Sequence, residues 1–320
     1  MLKNKIVAMY KGNCFKRYDN EGDVFYFSPE DFDGLVCEPY SFTNQSGCRL
    51  QGYFYYYGEP DKTRIVIFEH GMGGGHRAYM KEIELLARQG YFVFSYDRMG
   101  CMESEGAATN GFLQSLADLD DCICALKADK KYQNASFSVI GHSWGAFSTL
   151  NIGAIHDEVT HVVAMSGFAS IKQMHKQFFP GLLRIFRPAV YRVEKEANPK
   201  YVDFDARESL KKTKAKALII HSEDDPIVSA KHHFHVMKDA LGDCENKTFL
   251  LLNGKGHNPS YTEDAVQYMN CFFATKNEKN AKGELSDTES KKAFLEQYDW
   301  HRMTAQDMAV WEKIFAFLER

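Results

Sequence analysis

A serine, an acidic pair and a histidine stand at the ends of three separate apolar runs. Their types and order suit acyl transfer through a nucleophilic hydroxyl. The first run, residues 137–140, ends in Gly141-His142-Ser143-Trp144-Gly145. Such a G-x-S-x-G run is a nucleophile elbow, a strand-to-helix turn so sharp that the flanking residues must lack side chains. Ser143 then projects above a sheet, at the start of a helix whose positive end favours a developing anion. Glycine and serine are common residues, so the pattern gains weight only from its context.

That context lies in three other loops. The run 218–220 ends in His221-Ser222-Glu223-Asp224-Asp225-Pro226. A carboxylate there can fix the tautomer of a histidine and stabilise its imidazolium; Asp225 is the assigned acid and Asp224 the reserve. The run 249–252 leads into Asn253-Gly254-Lys255-Gly256-His257, where a glycine turn lets His257 swing toward Ser143. A tetrahedral oxyanion needs two backbone N–H donors aimed at one point. Trp144, the residue after the serine, supplies one. The other is assigned to Met72, in the loop Glu69-His70-Gly71-Met72-Gly73-Gly74-Gly75 after the run 64–68.

The elements that must hold these loops follow a regular rhythm. Strands are predicted at 48–57, 64–68, 91–96, 137–140, 162–165, 218–220 and 249–252. A helix-like stretch follows the glycine loop at 77–89. Phe112, Leu116, Leu119, Ile123 and Leu126 recur at helical steps within 111–129. Strands alternating with helices predict an α/β fold, a mostly parallel central sheet with helices on both faces. Residues 1–45 read as an N-terminal extension, 46–167 and 209–320 as the two parts of the core. Residues 168–208 form an insertion broken by Pro180, Pro188 and Pro199. The charged stretch 275–293 reads as a solvated loop. In the closing helix Thr304 and Asp307 suit a capping box, with Met308, Trp311, Phe315 and Leu318 on one apolar face.

The 320 residues are 44% hydrophobic and 26% charged with a net charge of −4, which leaves no basic footprint for nucleic acid. Eight cysteines lack any C-x-x-C pair, the N-terminal apolar run is broken early by charge, and no window is long enough to span a membrane. Reduced thiols and a cytoplasmic location are expected. His232, His233 and His235, or Cys122 and Cys124, lack the spacing that puts ligands on one metal, so neither a metal nor a cofactor is expected.

The chain resembles the α/β-hydrolase superfamily, in particular the short-lidded esterases, monoacylglycerol-lipase-like enzymes and serine-aminopeptidase-like hydrolases. The markers are His70-Gly71, Gly141-His142-Ser143-Trp144-Gly145, Asp225 before Pro-Ile-Val, and Gly256-His257. Tyr96-Asp97 with Gly100, Ser104 and Gly106 is similar to the family's Y-D-x-R-G-x-G-x-S-x-G turn, but Met99 replaces its arginine and Met102 its middle glycine. The resemblance covers about 45–275 plus the final helix. It implies an α/β-hydrolase fold with 168–208 as a helical lid, and Phe178, Phe179, Leu182, Leu183, Ile185 and Phe186 as possible lining of an acyl pocket. Arg184, Arg187 and Arg192 could meet an acidic group or an anionic membrane. Packing of the lid onto the core, with arginines in water and no membrane contact, is the simpler expectation.

The expected activity is cleavage of a small-molecule carboxylic ester with a partly apolar acyl or alcohol group. Ser143 forms the acyl-enzyme, His257 is the base and Asp225 its orienting acid. Activity should decline below about pH 6–7, near the free imidazole value. A peptidase or amidase using the same triad is the alternative. From another class, a nicotinamide-dependent oxidoreductase would use Gly71, Gly73 and Asp97, but its fingerprint needs a third glycine where the chain has His76.

Overall fold

β-branched and aromatic runs buried on both sides build the centre of the molecule. The structure, a computed structural model, describes residues 2–19, 22–242 and 244–319. Its strands are β1 (Val36–Thr43), β2 (Arg49–Tyr56), β3 (Arg64–Glu69), β4 (Phe92–Tyr96), β5 (Ser136–His142), β6 (Val159–Met165), β7 (Lys216–Ser222) and β8 (Lys247–Leu252). They form one sheet in the order β1-β2-β4-β3-β5-β6-β7-β8. β2 runs antiparallel to β1 and β4, and every other neighbouring pair is parallel.

The two-residue period of a strand divides the apolar side chains between two layers. Ile65, Ile67, Phe92, Phe94, Phe137, Val139, Val162 and Ile219 face one way, against helices Gln114–Ala128, Trp144–Ile152 and Phe234–Leu241. Val66, Phe68, Val93, Ile140, Val163, Met165 and Ile220 face the other, against helices Met80–Arg88 and Met308–Leu318. This is the expected fold class. Among the described residues, no helix is long and apolar enough to cross a membrane.

Three expectations need correction. Within 1–45, β1 joins the sheet with full pairing to β2, so the core begins well before residue 46. Its half-exposed edge position hid it, because alternation is weak where neither face is deeply buried.

The stretch 275–293 is not a loop. Helix Glu263–Ala281 runs through its first part, and after a turn at Gly283 (φ 74°) a second helix, Thr288–Leu295, begins at Asp287, whose side chain caps the Ser290 amide. Leu285, Phe294 and Leu295 pack with Phe272 and Met303, so a few apolar anchors hold an otherwise charged helical hairpin.

In the closing helix Asp307 caps alone, accepting from the Ala309 amide, while the Thr304 hydroxyl turns back to the Trp300 carbonyl. The buried face is Val310, Trp311, Ile314, Phe317 and Leu318, leaving Met308 exposed.

Candidate functional site

In an open parallel sheet, ligands bind beyond the carboxyl ends of the strands. The loops after β3, β5, β7 and β8 meet there. The loop after β5 holds Ser143 at φ 55° and ψ −114°, a conformation L-residues avoid. The surroundings force it. A Cβ at Gly141 would lie 2.4 Å from Thr149 Oγ1, and one at Gly145 only 2.2 Å from the Glu69 carbonyl oxygen. Both glycines are therefore required for helix Trp144–Ile152 to start against β3 and β5.

The three distant side chains come together. The Ser143 hydroxyl lies 2.8 Å from His257 Nε2, and His257 Nδ1 lies 2.8 Å from Asp225 Oδ2. Asp225 is buried, and its Oδ1 accepts from the Ile227 and Val228 amides at 2.8 and 2.9 Å. Burial alone would raise this carboxyl. The His257 hydrogen bond and charge, with the Val228 amide and His221, hold it below the usual carboxylate range.

With Asp225 as sole acceptor at Nδ1, that nitrogen carries the proton and Nε2 is free to accept the serine proton. Asp224 is engaged differently. It binds the Ser222 hydroxyl and receives the Gly254 and Gly256 amides, fastening the glycine turn that carries His257.

A cavity of about 510 Å³ opens over Ser143 and His257. Gly71, Met72 and Tyr79 line one side, Pro226 and Ile227 another, and Val266, Met269 and Phe273 of helix Glu263–Ala281 a third. Met72 faces this space beside Ser143. None of Phe178, Phe179, Leu182, Leu183, Ile185 or Phe186 lines it. Phe179 and Phe186 are buried in the core, whereas Leu182 and Ile185 are 89% and 70% exposed. The apolar wall comes instead from helix Glu263–Ala281. Arg187 does not simply face water either, since its guanidinium donates to the Phe179 and Lys176 carbonyls.

Trp144 is buried, its indole N–H donating to the Phe112 carbonyl at 2.5 Å. Under its ring, 4.7 Å away, lies the Arg98 guanidinium, ion-paired with Glu69 at 2.9 Å and inaccessible to solvent. The backbone on both sides of the site is thereby anchored to one buried pair. Asp97 is also buried and is taken up by the His76 amide and imidazole and the Glu103 amide. It has no oxygen to spare for a ribose, which removes the oxidoreductase alternative's acidic partner.

Tyr79 and His142 were not singled out in the sequence, yet they join the loops. The Gly71 amide donates to Tyr79 Oη (3.0 Å), that hydroxyl lies 2.9 Å from His142 Nδ1, and His142 Nε2 lies 2.7 Å from the His257 carbonyl oxygen. A carbonyl only accepts, so His142 carries its proton on Nε2 and receives the tyrosine proton at Nδ1. Burial, reinforced by the nearby charge of His257, lowers its pKa to about 3, keeping it neutral in this role. Its position inside the G-x-S-x-G run was the one available signal; for Tyr79 there was none, because the contact spans 63 residues.

As for metals, Asp120, Cys124 and His156 come within ligating distance of one another. The Asp120 carboxylate is already satisfied by His156, Lys200 and Tyr201, each at 2.7 Å, so an ammonium stands where a cation would bind.

Residues 64–196 match the family described as the alpha/beta hydrolase fold. The chain has the α/β-hydrolase fold. No curated protein matches its sequence. Among solved structures, an esterase of Pyrococcus furiosus aligns with a TM-score of 0.57 at 20% identity, covering 89% of this chain and 99% of that one. Acetyl xylan esterase 1 of Thermoanaerobacterium sp. aligns at 0.53 and 15% identity, over 80% and 88%. An acylaminoacyl peptidase aligns at 0.53 and 17% identity, over 70% of this chain but 38% of the peptidase. At these identities the likeness is one of fold.

Proposed function

We propose that this α/β hydrolase is a serine hydrolase that cleaves carboxylic esters through an acyl-enzyme. The relay from Asp225 through His257 to Ser143, with 2.8 Å at each step, is the observation that carries the reading. His257 takes the proton as Ser143 Oγ attacks the ester carbonyl, and Asp225 stabilises the imidazolium. The Met72 and Trp144 amides hold the oxyanion. His257 then protonates the departing alcohol, and water, deprotonated by the same imidazole, releases the acid.

The apolar wall of Met72, Val266, Met269 and Phe273 suits a partly apolar acyl or alcohol group. Residues 168–208 act in this reading as a cap beside the cleft, and the eight unpaired cysteines fit a reducing, cytoplasmic setting.

The test is a fluorophosphonate label located by mass spectrometry, together with hydrolysis of 4-nitrophenyl butyrate. Labelling at Ser143, with both labelling and turnover lost in Ser143→Ala, is expected. A variant that keeps more than a small fraction of turnover would remove Ser143 as nucleophile. The amide reading uses the same groups, and a panel of ester, thioester and aminoacyl-amide substrates decides between them by relative kcat/KM.

A further inference from the structure

The cleft over Ser143 does not end at Phe273. A second cavity, of about 420 Å³, shares Met72, Tyr79, Asn258, Met269 and Phe273 with the first, so the two adjoin as one stretch of surface. The character of the walls changes along it. Near Ser143 the lining is largely apolar, whereas the far end is lined by Lys16, Tyr18, Asp23 and Lys276.

The charges there do not cancel. Asp23 is the carboxylate of this group, and it is already held by both Lys276 (3.4 Å) and Lys291 (3.0 Å). Lys276 also donates to the Asp23 carbonyl, which fixes its ammonium at the wall. The exposed Lys16 ammonium lies 4.8 Å from the centre of the Tyr18 ring. Among the described residues no carboxylate pairs with it. A cation resting on an aromatic face keeps its remaining N–H groups free for an anion. Among the described residues, Lys16 and Lys276 thus line this end against one carboxylate that two lysines already hold, an excess of positive charge in a protein whose net charge is −4.

We propose that this far end is a subsite for an anionic group, a carboxylate or phosphate, carried by the ester substrate at a distance from the scissile bond. The inference rests on the esterase reading above and narrows it to substrates with an apolar segment between ester and anion. The apolar stretch packs along Met269 and Phe273, and the anion meets Lys16 and Lys276.

Matched ester pairs test this. In one pair the acyl chain ends in methyl or in carboxylate, as in 4-nitrophenyl hexanoate and mono-4-nitrophenyl adipate. In the other the alcohol side differs, as in the acetate esters of butanol and of 4-hydroxybutanoate. A phosphate in place of the carboxylate, as in the acetate ester of a hydroxyalkyl phosphate, distinguishes the two anions.

In at least one pair the anionic member should have the higher kcat/KM, by roughly three- to thirtyfold for two partly exposed charge contacts. The ratio should fall toward one in 0.5 M salt, on the order of a few Ångströms of Debye length. It should likewise fall in Lys16→Gln and Lys276→Gln, and drop below one in Lys16→Glu. Lys238→Gln, an exposed lysine on a distant helix, should leave the ratio unchanged.

Among the described residues the Lys16 side chain makes no hydrogen bond, and its carbonyl, which accepts from the Thr109 amide, is kept in any variant, so its variants are not expected to disturb folding. Turnover of neutral esters with no preference for the anionic member in either pair overturns the subsite and leaves the esterase reading standing. Absence of turnover for every ester by folded protein overturns that reading, and the subsite with it.

Discussion

Replacing Tyr79 by phenylalanine deletes one oxygen and breaks the tie among three loops. The hydroxyl accepts from the Gly71 amide at 3.0 Å and pairs with His142 Nδ1 at 2.9 Å. Without it a backbone donor and a ring nitrogen lose their partners in an enclosed place. Each unsatisfied group costs about 1–3 kcal/mol, so a loss of roughly 2–4 kcal/mol is expected after partial relaxation. For a chain of this size that lowers Tm by roughly 3–6 °C.

The effect on chemistry is separate. The His142 ring loses its anchor at Nδ1, so its N–H to the His257 carbonyl is less firmly placed, and the loop bearing Met72 loses its link to the elbow. Displacement of catalytic groups by about an Ångström costs up to a hundredfold, so kcat should fall roughly ten- to fiftyfold while KM changes less than about threefold. His142→Gln can donate to the His257 carbonyl and accept from Tyr79, and it should retain far more kcat than His142→Leu. The assay is steady-state hydrolysis of 4-nitrophenyl butyrate beside thermal melts. Tyr79→Phe with a lowered Tm but kcat within threefold of wild type would refute the positioning argument, as would equal kcat for His142→Gln and His142→Leu.

Two further outcomes follow from the site and its surroundings. Asp225→Asn removes the acceptor that sets the His257 tautomer, and kcat should drop by orders of magnitude, as tautomer loss does in other triads. Asp224→Asn, which leaves an oxygen for the Gly254 amide, should lose only a few-fold; the opposite ranking in kcat would transfer the acid role to Asp224.

Glu194 is buried, accepting from Tyr10 Oη at 2.6 Å and the Phe112 amide at 3.3 Å, and burial pushes its carboxyl from the ordinary 4.5 up to about 7. A raised folded-state value means stability that is full below about pH 4.5 and lost as pH climbs through 7, by an upper limit of roughly 3 kcal/mol. Glu194→Gln lacks that loss, so its Tm relative to wild type should rise between pH 5 and pH 8. A difference independent of pH would show that this carboxyl does not titrate there.

The local chemistry was written in the chain. Gly141 and Gly145 announce the elbow because a side chain at either would strike its neighbours, Ser143 stands between them, and the order Ser143, Asp225, His257 follows from loops that each end a strand. Periodicity located the parallel strands because they are buried on both faces.

What sequence could not decide was what packs against what. Charge density disguised the helical hairpin around Gly283, which Phe272, Leu285, Phe294, Leu295 and Met303 hold, and the cleft wall of Val266, Met269 and Phe273 belongs to helix Glu263–Ala281 rather than to 168–208. That Asp225 rather than Asp224 meets His257 needed coordinates, because adjacent residues on a turn differ only in where each side chain points. The tie from Gly71 through Tyr79 and His142 to His257 exists only once the loops after β3, β5 and β8 have been brought to one edge of the sheet. Local pattern fixes which bonds a residue is able to make, but burial and direction, which select among them, arise from contacts far apart in the chain.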